Sequence, residues 1–162
     1  MENTRLAARA FENVKDQIGF CGIYCGSCAA GNGAIIVLTK KYEELVKHYQ
    51  LEKWAPKDFD FKEFAKGLAS IQTMSTCSGC RKGGGNSVCA IRICALKRGT
   101  EDCGECTELI PCRNYEELER TNPKVKEDLM KIRGKDRQKL IEQWIGELRT
   151  RWPHCVLFDN VT

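Results

Sequence analysis

Eleven cysteines in 162 residues constrain this chain more than any other feature, and ten of them fall into two groups. The first, "CGIYCGSC", places Cys21, Cys25 and Cys28 at the spacing C-x3-C-x2-C. The second runs C-x2-C-x8-C-x4-C-x8-C-x2-C-x5-C through Cys77, Cys80, Cys89, Cys94, Cys103, Cys106 and Cys112. In a secreted chain such a count reads as a disulfide scaffold. Here the opening "MENTRLAARAFENVKDQ" carries acids throughout and no apolar export core, so the expectation is a cytoplasmic chain whose cysteines serve metal.

Two close pairs, "CSGC" and "CGEC", sharpen that expectation. A two-residue gap lets both thiolates of one tight turn reach an ion about 2.3 Å from each sulfur. Gly79 and Gly104 lie inside these turns, where positive φ would be useful. Zinc favours tetrahedral thiolate ligation and needs no open position in a structural site. About two zinc ions would use eight of the ten grouped cysteines. The first group holds only three, so a closed site there must borrow a ligand, and the two groups should meet in space. Which cysteines share a site stays open at this level. An iron–sulfur cluster uses the same ligands and is the alternative.

Catalytic readings are weaker. The spacing of "CGIYCGSC" is that of radical S-adenosylmethionine enzymes, but Ser27 stands where an aromatic residue is usual, and the chain lacks the βα repeats of their partial barrel. A redox dithiol at Cys25 and Cys28 lacks the βαβ surroundings of a thioredoxin-like site. Two histidines and no nucleophile elbow exclude an arguable Ser-His-Asp set. "KGGGNS" lacks the Lys-Ser/Thr end of a phosphate loop, and no convincing carboxylate pair stands out. His48 reads as a surface residue; His154 and Cys155 are candidates for a late ligand, with a partly buried tail as the plainer reading. The expectation is a non-enzymatic interaction or regulatory module with an unidentified protein partner.

Charge excludes other classes. The net charge of +4 is spread over mixed-sign stretches such as Thr39 to Ser70, whereas nucleic-acid binders more often show a one-signed stripe. The basic pairs Arg81-Lys82 and Lys97-Arg98 beside cysteines keep an anion, or less readily a nucleic acid, in view. No apolar run approaches the roughly 20 residues of a membrane span.

Periodicity predicts a mainly α fold, with amphipathic helices around an irregular cysteine-rich module and little or no β-sheet. Leu6, Ala7, Ala10, Phe11, Val14 and Ile18 predict a helix over 4–17. A second helix carries Ile35, Leu38, Tyr42, Leu45, Val46 and Tyr49 on its apolar side. Asp60 and Glu63 resemble a capping box that starts a third, with Phe61, Phe64, Ala65, Leu68 and Ile71. These three helices are expected to supply most of the core. A short helix in "CAIRICALKRG" should stop at Gly99. Asn122-Pro123 should cap and begin another, ended by Gly134, and Leu140 to Trp152 a last one. The whole of 1–162 reads as one domain, with 21–28 and 77–112 as the metal module and 114–152 as C-terminal helices.

As a whole, "FCGIYCGSCAA", "CSGCR" and "CAIRICALKRGTEDCGECTELIPC" resemble the cysteine-rich family known as domain of unknown function 3795. The resemblance spans about Phe20 to Cys112, and it implies a small cytoplasmic zinc-binding protein of anaerobic bacteria and archaea, with no established activity. The ligands it implies fall among Cys21, Cys25, Cys28, Cys77, Cys80, Cys89, Cys94, Cys103, Cys106 and Cys112. Relatives often close with a second cysteine after the final tryptophan; "RWPHCVLFDNVT" has only Cys155.

Overall fold

The computed structural model describes residues 10–151. Seven helices organise them: α1 over 10–14, then α2 (Ala34–His48), α3 (Phe61–Gln72), α4 (Ala90–Arg98), α5 (Glu116–Thr121), α6 (Val125–Lys131) and α7 (Arg137–Arg151). Single 3-10 turns fill the gaps at Cys25–Ser27, Leu51–Lys53, Cys80–Lys82, Cys103–Glu105 and Arg113–Tyr115. The chain is mainly α, and the β pairing among the described residues is one isolated antiparallel bridge, Ile18 to Tyr24.

Helix α1 buries Ala10, Phe11 and Val14 as the periodicity predicts, but it stops at 14 rather than 17. The reason is a competition for one carbonyl. In a continuing helix the Gln17 N–H would bond the Asn13 carbonyl; here that oxygen accepts the Gln17 side-chain amide (2.7 Å) and Lys82 Nζ (2.8 Å). The Gln17 amide also reaches the Ser78 carbonyl (3.0 Å), tying α1 to the second cysteine group. Leu6 and Ala7 lie outside the described residues.

Helix α3 starts as expected, with Asp60 Oδ1 accepting the Glu63 N–H (2.9 Å). Glu63 does not complete a reciprocal box; it pairs with Lys66. Helix α4 ends at Gly99, whose φ of 63° makes the left-handed cap. The Asn122-Pro123 expectation is displaced: α6 begins at Val125, because Asn122 turns the chain back, accepting the Val125 N–H at its carbonyl (3.0 Å) and the Lys124 N–H at its side chain (3.3 Å). It ends at Lys131, three residues before Gly134.

The face of α2 is a correction. Ile36, Val37 and Val46 are the buried residues of its body, while Ile35, Leu38, Tyr42, Leu45 and Tyr49 face solvent. Glu43, on the packed side, accepts from Gln72 of α3 (2.7 Å). Nor, among the described residues, do the first three helices supply most of the core. One buried cluster joins Ile91 and Ala95 of α4 to Cys103, Leu109, Tyr115, Val125, Leu129, Ile132 and Leu140. A second joins Ile18 and Tyr24 to Ile141, with Trp144, Ile145 and Leu148 of α7 packed against it. The cysteine module is therefore wedged between apolar residues of α4, α6 and α7, and α2 packs against α3.

Candidate metal centres

Short-range turns set the cysteines before any long-range contact does. In the first group the Cys25–Ser27 turn closes with the Cys28 N–H on the Cys25 carbonyl (3.1 Å). The Cys25 N–H bonds the Gln17 carbonyl (2.9 Å), and Gly19 bonds Ile23 (2.9 Å), so the loop is pinned to the end of α1. Across it lies the Cys80–Lys82 turn. Gly79 enters that turn at φ 84° and ψ 149°, and a β-carbon there would stand 2.3 Å from Gln17 Oε1. Only glycine fits both the angle and the space.

The two cysteine groups do meet. Cys80 Sγ accepts the Phe20 N–H (3.4 Å) and a hydrogen bond from the Cys25 thiol. Both Cys80 Sγ and Cys21 Sγ lie within 3.4 Å of where a Gly19 β-carbon would sit. Cys25 lies within electrostatic reach of Cys80 and Cys21, and Cys21 within that of Cys80 and Cys89. Cys21, Cys25, Cys80 and Cys89 are thus neighbours. Cys28, which is exposed, and Cys77, whose sulfur takes the Gly79 N–H (3.4 Å), occupy the same two loops.

Within this set the sulfurs are tuned in opposite directions. The bond from Cys25, reinforced by the Phe20 N–H and the cations of Arg81 and Arg92, draws Cys80 down to about 6 from 9.0. The same bond, with burial, holds Cys25 well above the ordinary thiol range. Burial, with the neighbouring sulfurs adding to it, also raises Cys21.

The second set is built from α4 and the segment after it. Cys94 comes from α4; Cys103 and Cys106 bracket a 3-10 turn closed by the Cys106 N–H on the Cys103 carbonyl (3.1 Å); Cys112 follows Pro111. These four, with Ile91 and Tyr115, line a cavity of about 320 Å3. Burial pushes Cys103 up to about 11, with the neighbouring sulfurs of Cys106, Cys112 and Cys94 adding to it. Arg98 stands at the cavity, 3.9 Å from Cys106 Sγ and paired with Glu108.

Arginines from the α6–α7 region clamp the Cys103–Cys106 turn. Asp102, fully buried, accepts the Gly104 N–H (2.7 Å) and a two-pronged bond from Arg137 (2.7 and 3.0 Å). Arg133 donates to the carbonyls of Gly104 (2.7 Å) and Cys106 (2.6 Å). Gly104 is therefore needed for room: a β-carbon there would lie 2.7 Å from Asp102 Oδ1, and its φ is not positive. Phe20 links the two sets, giving its N–H to Cys80 and its carbonyl to the Cys103 N–H (2.9 Å). Tyr115 does the same from the other side, donating to the Cys21 carbonyl (3.0 Å) while touching Cys103.

Among the described residues, no three or more His, Cys, Asp or Glu side chains stand, as placed, within reach of a single ion. The ten described cysteines are free thiols. His154 and Cys155 lie outside the described residues. Arg81 is committed to the protein itself, donating to Ile18 and Glu101 carbonyls (2.6 Å each) with its guanidinium over the Phe20 ring. Lys82 donates to the Asn13 carbonyl and Arg98 pairs with Glu108, both at the exposed surface. No helix among the described residues is long and apolar enough to cross a membrane.

The family model described as a protein of unknown function (DUF3795) matches residues 17–117, and the chain belongs to that family. No curated protein and no solved structure matches it.

Proposed function

We propose that this member of the family is a metal-binding module in which cysteine thiolates hold about two structural zinc ions, acting in the cytoplasm as an interaction or regulatory unit rather than as an enzyme. One observation carries the reading: Cys94, Cys103, Cys106 and Cys112, drawn from separate turns of the chain, line a single cavity. Cys21, Cys25, Cys80 and Cys89 form the second candidate set.

The donor chemistry fits. Both sets are all sulfur, the ligand type that selects zinc or iron–sulfur clusters over hard cations. When bound, zinc would supply positive charge that keeps the thiols ionised and cross-links the loops. The protein's own share is orientation. Arg133 and Arg137 hold the Cys103–Cys106 turn, and the Phe20 N–H steadies the Cys80 sulfur as outer-sphere donors steady thiolates.

Metal analysis and an ultraviolet–visible spectrum of anaerobically purified protein test this. Zinc without visible absorption is expected. Stoichiometric iron and sulfide with a chromophore bleached by dithionite would establish the iron–sulfur alternative instead.

A further inference from the structure

Between the first cysteine loop and α7 lies a concavity for which the metal centres have no use. Its volume is about 250 Å3, and it is lined by Ile23, Tyr24 and Ser27 of the loop and by Trp144, Glu147 and Leu148 of the helix. Spacings of three and four residues put the last three on one face of α7. The volume lies just below the roughly 300 Å3 at which ordinary small-molecule sites begin, so it suits a small ligand or one long side chain.

The walls are held by the protein itself. The Tyr24 ring is buried, its hydroxyl donates to the Lys15 carbonyl (2.7 Å), and its centroid stands 5.9 Å from that of Trp144. Gly26 lets the Cys25–Ser27 turn lie against that ring, because a β-carbon at 26 would collide with it. Ile23, 39% exposed, and Leu148 complete the apolar lining.

Charge selects the ligand. Glu147 is the one formally charged side chain at this lining. Its Oε1 accepts from Gln143 (2.7 Å), and no cation among the described residues pairs with it. Ser27 Oγ spends its proton on the Tyr24 carbonyl (2.7 Å) and so offers only lone pairs. Two electron-rich rings beside a carboxylate favour a cation, and the apolar walls favour a hydrocarbon stem behind it.

We infer that this pocket binds a primary alkylammonium group on a short apolar stem, carried by a free amine or by the end of a lysine side chain. Glu147 meets the charge; Ile23, Tyr24, Trp144 and Leu148 meet the stem. This goes beyond the metal reading and does not depend on it.

A heteronuclear NMR titration of the full chain tests it, with n-pentylammonium, 1-pentanol and pentanoate as probes of one chain length. Saturable shifts centred on Ile23, Tyr24, Trp144 and Leu148 are expected. The ammonium should bind at least about fivefold tighter than the alcohol, and pentanoate should not bind. Glu147→Gln, at an exposed position, should weaken pentylammonium about threefold and leave 1-pentanol unchanged. Ile23→Ala should weaken both, since it removes shared apolar wall. N-acetyl-lysine methylamide identifies the source: binding tighter than pentylammonium assigns the pocket to a lysine side chain, equal or weaker binding to a free amine. Equal affinity for the ammonium and the alcohol would overturn the inference. So would shifts that scatter or fail to saturate, or a Glu147→Gln variant that binds pentylammonium as the parent does. Metal content enters none of these outcomes, so failure here leaves the zinc reading standing.

Discussion

Around Cys80 the protein supplies hydrogen-bond donors and positive charge; around Cys103 it supplies mainly burial. The first sulfur takes an amide N–H and a thiol and lies near two arginines, and it falls to about 6. The second sits in the apolar cluster with Ile91, Leu109 and Tyr115 and rises to about 11. The lesson is that similar cysteine turns can be readied for a cation in two ways. In the first set one sulfur, Cys80, is set up for negative charge before an ion arrives, while Cys21 and Cys25 are held protonated. The other keeps the Cys103 thiol neutral, and Arg133 and Arg137 hold backbone and a carboxylate instead of sulfur. Metal at the second set must supply the charge that ionises it.

That contrast can be broken first at the clamp. Arg137→Ala leaves Asp102 charged, buried and unpaired, and should lower stability by about 3–5 kcal/mol in chemical denaturation. Its damage should centre on the Cys103–Cys106 turn, so hydrogen exchange there should quicken while the Cys25–Ser27 turn is spared. Uniform quickening of both turns would show that the sets are one cooperative unit.

Thiol reactivity sharpens the same contrast. In metal-free protein at pH 7, iodoacetamide should modify Cys80 roughly 30-fold faster than Cys103, the larger thiolate fraction being partly offset by lower intrinsic nucleophilicity. The Cys80 rate should climb through a midpoint near 6, and Cys103 should stay slow until pH approaches 11. The signs for stability are opposite. The depressed Cys80 contributes stability fully above the ordinary thiol value of 9.0, and that contribution is lost as pH falls through about 6. The raised Cys103 contributes below 9.0 and loses its share as pH rises through about 11. Peptide mapping by mass spectrometry reads both residues in one experiment; equal rates at pH 7 would erase the distinction.

Smaller effects lie on the first set and on the link. Gly79→Ala should cost about 1–3 kcal/mol in backbone strain, with further loss as Gln17 is displaced, and thermal unfolding measures it. Tyr115→Phe removes one bond to the Cys21 carbonyl and should cost about 0.5–1.5 kcal/mol. An effect of Tyr115→Phe larger than that of Arg137→Ala would mean that the link between the sets, not the clamp, carries the module.

The helices and the cysteine loops were legible because periodicity and turn residues are local signals. Asp60 capped α3 and Gly99 ended α4 as those residues do in isolation. Which face of α2 packs was not legible, because its apolar residues cover more than one side and only the tertiary fold chooses between them. The pairing of Cys80 with Cys21 and Cys25 required the fold, since nothing local says which loops meet. Asp102, Arg133, Arg137 and Tyr115 went unnoticed for the same reason. Asp102 alone carried a hint, two residues before a glycine in "DCGEC", where an aspartate can turn back on the chain. Gly104 looked like a positive-φ residue and proved to be a matter of space.

Native mass spectrometry of the intact chain and of two double variants tests the central claim most directly. The account predicts two zinc ions in the parent, one after Cys103→Ser with Cys106→Ser, and one after Cys21→Ser with Cys80→Ser. A parent that carries no metal, or that loses both ions whichever pair is changed, would contradict it.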